Sequence, residues 1–380
     1  MADHRLSAVT TPVMFGALSF GFMSFILPVY THELGADAVQ IGGLFSVFTL
    51  TLLAARPIVG WLLDRFGRRW FFAASLGFYV IAMLVFSRAE GLTDFYVARL
   101  VQGVGAALMW VSARTIIADV TVADGAGRAM GRLTQAGARG ILLGGFWGFS
   151  LLGLLPMAQA WTWAFLGYAV AALTGLVIAV WLGSETRPEH TDASPAMGHV
   201  PPLFFRLLPI VLLSNFASAL IVPVYLIYLQ DRFDVPVLGL ATAFLPGVIV
   251  MATLPAHAGR LSDRFGRIPL MVFGLLASAS VSMLLPTVPS LVWLALMYLL
   301  FFTGWALVEP AEAAMVADLA GEHQRGRIYA WYEFSVGIGA ATGPLVGGFV
   351  YENLGKPMPF YVNAALLLLA ASLIWIFLRK

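Results

Sequence analysis

Apolar residues in this chain come in long runs, and polar residues collect between them. Twelve runs stand out. They lie near 8–31, 38–62, 70–88, 93–118, 128–155 and 159–182 in the first half. In the second half they lie near 205–230, 237–259, 268–286, 290–317, 326–351 and 357–378. Each approaches or exceeds the ~20 residues a helix needs to cross a bilayer. The period-two alternation of a membrane β-barrel is absent. The pattern predicts an all-α membrane protein of twelve transmembrane helices in two six-helix bundles. Only the stretch from Gly183 to Pro202 is polar over any length, with Glu185, Arg187, Glu189, His190 and Asp192 among its charges. The expected layout is a bundle over 1–182, a linker over 183–204 and a second bundle over 205–380.

Composition agrees with lipid as the solvent. Hydrophobic residues make up 60% of the chain and charged residues 11%, against roughly 25% charged in a soluble domain. There is no cysteine, so neither disulfides nor thiolates contribute. The first run is too long for a signal-peptide core and is read as the first span. Arginine and lysine then set the orientation. With an even number of spans, one side holds Arg5, Arg65, Arg68, Arg69, Arg128, Arg132, Arg187, Arg206, Arg260, Arg264, Arg267, Arg325, Arg327, Arg379 and Lys380, and the other only Arg88, Arg232 and Lys356. Fifteen against three places both termini and the linker in the cytoplasm of an inner or plasma membrane protein.

The chain repeats itself. Gly60-Trp61-Leu62-Leu63-Asp64-Arg65-Phe66-Gly67-Arg68-Arg69 is echoed by Gly259-Arg260-Leu261-Ser262-Asp263-Arg264-Phe265-Gly266-Arg267, and 259 − 60 gives an offset of 199. Asp119 maps onto Asp318 and Arg128 onto Arg327 at the same offset. A duplicated half with charged turns between helices is how many secondary transporters are built. In the motif, Gly60 and Gly67 permit close approach and a tight turn. Asp64 suits the positive start of a neighbouring helix. Arg65, Arg68 and Arg69 are placed to bridge acids such as Asp119. Gly60, Asp64, Arg65, Gly67, Arg68, Asp119, Asp263, Arg264 and Asp318 thus form a candidate conformational lock. The bland reading is that these cations obey the positive-inside rule and touch lipid phosphates.

Charges inside the spans segregate. Arg56, Arg99, Arg114 and Arg139 lie in the first half, and Glu309, Glu312 and Glu333 in the second. A charge at mid-bilayer costs ~2.5–3.5 kcal/mol on insertion scales, so each needs a reason. The split predicts a cavity with one basic and one acidic wall. At about 100° per residue, Arg99, Gln102, Gly103, Trp110 and Arg114 share one face of the fourth span, and Trp305, Glu309 and Glu312 share one face of the tenth. Gln135 and Arg139 share a face of the fifth. Glu309 is expected deepest of the acids and is the first candidate proton carrier, followed by Glu312 and Glu333. The structural alternatives are that Arg56 snorkels, Arg99 is a packing hub, Arg114 is a gate residue and His257 is a packing histidine. Asn215 and Tyr225, with Trp110 and Trp305, are candidate substrate contacts in an aromatic pocket, whereas Trp161, Trp163 and Trp293 read as interface belts.

These residues resemble the major facilitator superfamily, whose loop between its second and third helices reads G-x-x-x-D-R-x-G-R-R. The family's R-x-x-Q-G stretch is present as Arg99-Leu100-Val101-Gln102-Gly103. Leu27-Pro28-Val29-Tyr30 is repeated in idea by Val222-Pro223-Val224-Tyr225. Arg56-Pro57 ahead of the first motif is similar to proton-coupled drug antiporters. The resemblance implies two bundles around a central cavity, alternating access, and a link between Arg99 and proton coupling. One departure stands. Drug antiporters carry G-P-x-x-G-G in the fifth span, where this chain has Gly140-Ile141-Leu142-Leu143-Gly144-Gly145, and the element sits instead at Gly343-Pro344-Leu345-Val346-Gly347-Gly348.

The expected function is monomeric, proton-coupled export of amphipathic or lipophilic small molecules. Import or uniport of a polar solute such as a sugar or organic anion, and flipping of a lipid or glycolipid, are the alternatives. The expected partners are substrate, protons and the lipid bilayer, with no nucleic acid, metal or cofactor. No Walker loop, H-E-x-x-H or G-x-S-x-G motif points to an enzyme.

Overall fold

The computed structural model describes residues 2–120, 126–186, 201–236, 264–319 and 325–378, with scattered positions between 239 and 254. Eleven helices among the described residues are long and apolar enough to cross a membrane. They are α1 (Ala2–Glu33), α2 (Ala38–Phe66), α3 (Arg69–Ser87), α4 (Leu92–Val120), α5 (Ala126–Leu154), α6 (Met157–Leu182), α7 (Pro202–Phe233), α8 (Arg267–Leu284), α9 (Leu291–Leu319), α10 (Arg325–Leu354) and α11 (Met358–Phe377). No strand occurs among them. The predicted run 237–259 falls mostly outside the described residues, so α8 to α11 are the ninth to twelfth predicted spans.

The chain forms two compact units, Met1–Ala36 with Val47–Ala193, and Asp37–Ser46 with Ser194–Lys380. The start of α2 thus clusters with the second unit, where the Ala38 amide donates to Glu352 Oε1 at 2.9 Å.

Helix pairing inside each unit follows from the solvent. Lipid offers no hydrophobic drive between helices, so close backbone approach over small residues does the work. In the first unit, a side chain at Gly140 or Gly144 would strike the carbonyls of Met14 or Leu18, and one at Gly148 the ring of Phe22. In the second unit, Gly339, Gly343 and Gly347 meet the Leu212, Phe216 and Leu220 carbonyls in the same way. These glycine triples are 199 apart, since 339 − 140, 343 − 144 and 347 − 148 all give 199. Gly105 lies against the Ser75 carbonyl and Gly304 against that of Gly274, again at offset 199. The repeat is therefore built into backbone packing as well as into the loops.

Trp161 corrects an expectation. It is 1% exposed, donates from Nε1 to the Phe86 carbonyl at 2.7 Å and stacks on Tyr30 at 4.6 Å. Trp161, Phe165 and Tyr168 recur at helical spacing on the packed face of α6, whereas Trp163 points about 200° away and is exposed, as is Trp293. In the second unit, Ser282 Oγ donates to Asn363 Oδ1 at 2.6 Å and Asn363 Nδ2 to the Ala217 carbonyl at 2.5 Å. This buried relay ties α7, α8 and α11.

Candidate functional site

Three clusters carry the charged residues. The first is built around the turn between α2 and α3. Gly67 ends α2 with φ +99°, a conformation that favours glycine, and its amide donates to the Leu63 carbonyl at 3.1 Å. A side chain there would meet the carboxylate of Glu185. That carboxylate accepts the Arg68 amide at 2.9 Å and 3.1 Å, and the Arg69 amide at 3.3 Å. It caps the start of α3, where unpaired N–H groups and the helix dipole favour an anion. The Arg68 side chain turns inward, with Nη1 on the Leu63 carbonyl at 3.2 Å and Nε 3.1 Å from Asp119 Oδ2. Thr186 Oγ1 donates to the same Oδ2 at 3.0 Å. Arg69 Nη2 donates to the Val180 carbonyl at 2.6 Å. The ends of α2, α3, α4 and α6 and the start of the linker are tied together.

The second unit repeats half of this. Gly266 has φ +89°, and Arg267 Nε lies 3.1 Å from Asp318 Oδ2. The side chains of Arg68 and Asp119 are 8% and 16% exposed, those of Arg267 and Asp318 25% and 61%.

Other members of the expected lock differ. Arg65 does not take the role expected toward Asp119. Its guanidinium lies 5.4 Å from the Trp61 ring and 5.5 Å from Phe66, because the left-handed turn at Gly67 separates its direction from that of Arg68. Arg264 sits 5.5 Å from Phe265. Among the described residues, no atom lies within 4 Å of where a Gly60 side chain would start. The Asp64 side chain and Asp263 lie outside the described residues, as does His257.

The second cluster is in α4. Arg99 is buried. Its Nη1 donates to Gln102 Oε1 at 2.9 Å and to Met23 Sδ at 3.2 Å, and its guanidinium stands 4.9 Å from the Phe48 ring. Gly103 lets α2 come close at Phe48 and Thr51. Arg99 is therefore a hub among α1, α2 and α4, and Met23 is more than packing. Trp110 lays its ring against Gly137 of α5. Arg114, Gln135 and Arg139 are exposed on their helices, and Arg56 is half-buried.

The third cluster joins α9 and α10. Glu312 is 6% exposed, and its Oε1 accepts from the Tyr332 hydroxyl at 2.8 Å. Glu309, expected deepest, is exposed, and Glu333 is half-buried. The reason is the neighbour, since α10 brings Tyr332 over Glu312. Trp305 packs at the edge of the second unit's core. Asn215 Nδ2 donates back to the Val211 carbonyl of its own helix at 2.9 Å. Tyr225 packs among Phe244, Tyr298 and Phe360 at 5.4–6.1 Å, in an aromatic core instead of an open pocket. Sequence reasoning missed Glu185, Thr186 and Tyr332 as partners.

The Major Facilitator Superfamily model matches residues 13–256 and 207–380. Multidrug resistance protein 1 of Bacillus subtilis (strain 168) is 26% identical over 376 residues, covering 97% of this chain and 95% of that protein. Multidrug resistance protein MdtG of Escherichia coli (strain K12 / DH10B) is 25% identical over 380 residues, covering 95% and 91%. Among solved structures, a POT family transporter in complex with 5-aminolevulinic acid superposes with a TM-score of 0.80 at 14% identity, over 98% of this chain and 95% of that one. The human organic anion transporter MFSD10 (TETRAN) does so at 0.70 and 21%, over 98% and 99%. With the family match running over nearly the whole chain, and the same turn and ion pair built twice, the chain belongs to the Major Facilitator Superfamily and is a multi-pass membrane transporter, not an enzyme.

Proposed function

We propose that the chain is a proton-coupled exporter of amphipathic or lipophilic small molecules, working as a monomer by alternating access between a first half (1–182) with arginines inside its spans and a second half (205–380) with glutamates inside its spans. Both termini and the 183–204 linker face the cytoplasm in this reading. The names of its multidrug-resistance relatives support the substrate class.

The observation that carries proton coupling is Glu312, a carboxylate buried inside a membrane-length helix and held by Tyr332. A charge inside a span is costly, up to ~2.5–3.5 kcal/mol at its centre, and binding a proton removes it. An ion drives transport only if it binds the two access states differently. Tyr332 supplies that difference if its hydrogen bond to Glu312 forms in one state only. Glu312 therefore replaces Glu309 as the first carrier candidate, with Glu309, Glu333 and the Arg99–Gln102 hub in support. The lock is the Arg68–Asp119 turn, whose release lets the halves rock. The test is transport driven by a pH gradient. Glu312→Gln is expected to abolish gradient-driven flux while leaving substrate exchange without a gradient. Flux unchanged in Glu312→Gln removes it as carrier.

Arg114 and Arg139 favour a second reading, movement of an organic anion. Both are exposed cations in membrane-length helices. It predicts that Arg114→Ala or Arg139→Ala abolishes binding of an acidic substrate and spares lipophilic cations.

A further inference from the structure

One groove stands apart from the clusters described above. In the second unit, a groove of roughly 600 Å³ runs between the start of α7 and the end of α11, lined by Phe205, Arg206, Pro209, Leu373, Ile376 and Phe377. Phe205, Ile376 and Phe377 are exposed. In the first unit, the start of α1 and the end of α6 border a pocket of only about 20 Å³, which Ser184 and Thr186 of the linker help to line.

The packing partners Leu18 and Phe216 are 198 apart, and at that offset Arg206 corresponds to Ala8. Among the described residues, Arg206 has no carboxylate within ion-pairing distance. It lies one turn inside the start of α7, at the level where a span meets the headgroups.

We propose that this groove binds an anionic phospholipid of the adjacent leaflet, with acyl chain on Phe205, Leu373 and Ile376 and phosphate on Arg206. Basic pockets between transmembrane helices on the cytoplasmic side bind such headgroups, and the inference rests on the proposed reading in which this end faces the cytoplasm. A zwitterionic lipid fills the apolar part equally well but brings a headgroup of no net charge. The groove therefore selects on charge.

The experiment counts lipids bound to the full-length protein in mild detergent by native mass spectrometry, with dioleoyl-phosphatidylglycerol and dioleoyl-phosphatidylcholine as probes. The wild type is expected to retain phosphatidylglycerol over phosphatidylcholine, with Arg206→Gln lowering that affinity about fivefold. Leu373→Trp fills the groove and lowers retention with Arg206 intact. Arg132→Gln, which removes an exposed cation on α5, leaves retention unchanged. Equal retention of the two lipids by the wild type, or equal losses in Arg206→Gln and Arg132→Gln, overturns the proposal.

Discussion

The turns at Gly67 and Gly266 share a sequence motif, a left-handed glycine and an Arg–Asp pair at 3.1 Å, yet they are not equivalent. At Gly67 the pair is nearly dry, and Glu185 and Thr186 reach in from the linker to cap α3 and to hold Asp119. At Gly266 the pair is more open to solvent. An ion pair in water is worth about 0–1 kcal/mol. Breaking one partner of a less hydrated pair costs more, because the other is left unsatisfied. Duplication supplied the same parts twice, and the surroundings decide which copy is a clamp.

Substitutions sharpen the contrast, and thermal unfolding in detergent reads each. Gly67→Ala is expected to cost the most, about 3 kcal/mol, because it combines left-handed strain with a clash against the Glu185 carboxylate. Among the described residues, Gly266→Ala meets only Pro269 Cδ at 3.5 Å, and it is expected to cost about 1–2 kcal/mol from strain. Equal costs would break the comparison. Next comes Arg68→Ala at about 2 kcal/mol, against less than about 1 kcal/mol for Arg267→Ala. Glu185→Gln removes a charged cap and is expected to cost about 1 kcal/mol, with faster amide exchange confined to the first turn of α3. Exchange unchanged there would show that the cap is ornamental. The smallest effect is salt. Raising it to about 1 M shortens the screening length to about 3 Å and weakens the Arg267–Asp318 pair while sparing Arg68–Asp119.

The repeat was legible because duplication leaves one offset in the sequence, and Gly67, Arg68 and Asp119 carry it into three dimensions. The glycine triple at 140, 144 and 148 is also readable at that offset. Glu185 was not legible. It lies 117 residues from Arg68, in a polar linker whose charges look alike. Burial of Glu312 over Glu309 was hidden for a related reason. Helical spacing puts both on one face, and only the approach of Tyr332 from α10 separates them. Arg65 misled because its number neighbours Arg68 while a left-handed turn divides them.

Proton-coupled export is tested most directly with the purified protein in sealed proteoliposomes under an imposed pH gradient, following a lipophilic cationic dye. The account predicts gradient-dependent dye movement that stops when an ionophore collapses the gradient and that is lost in Glu312→Gln. Vesicles shown to be tight that move no dye under any gradient, or that move it equally after collapse, would contradict it.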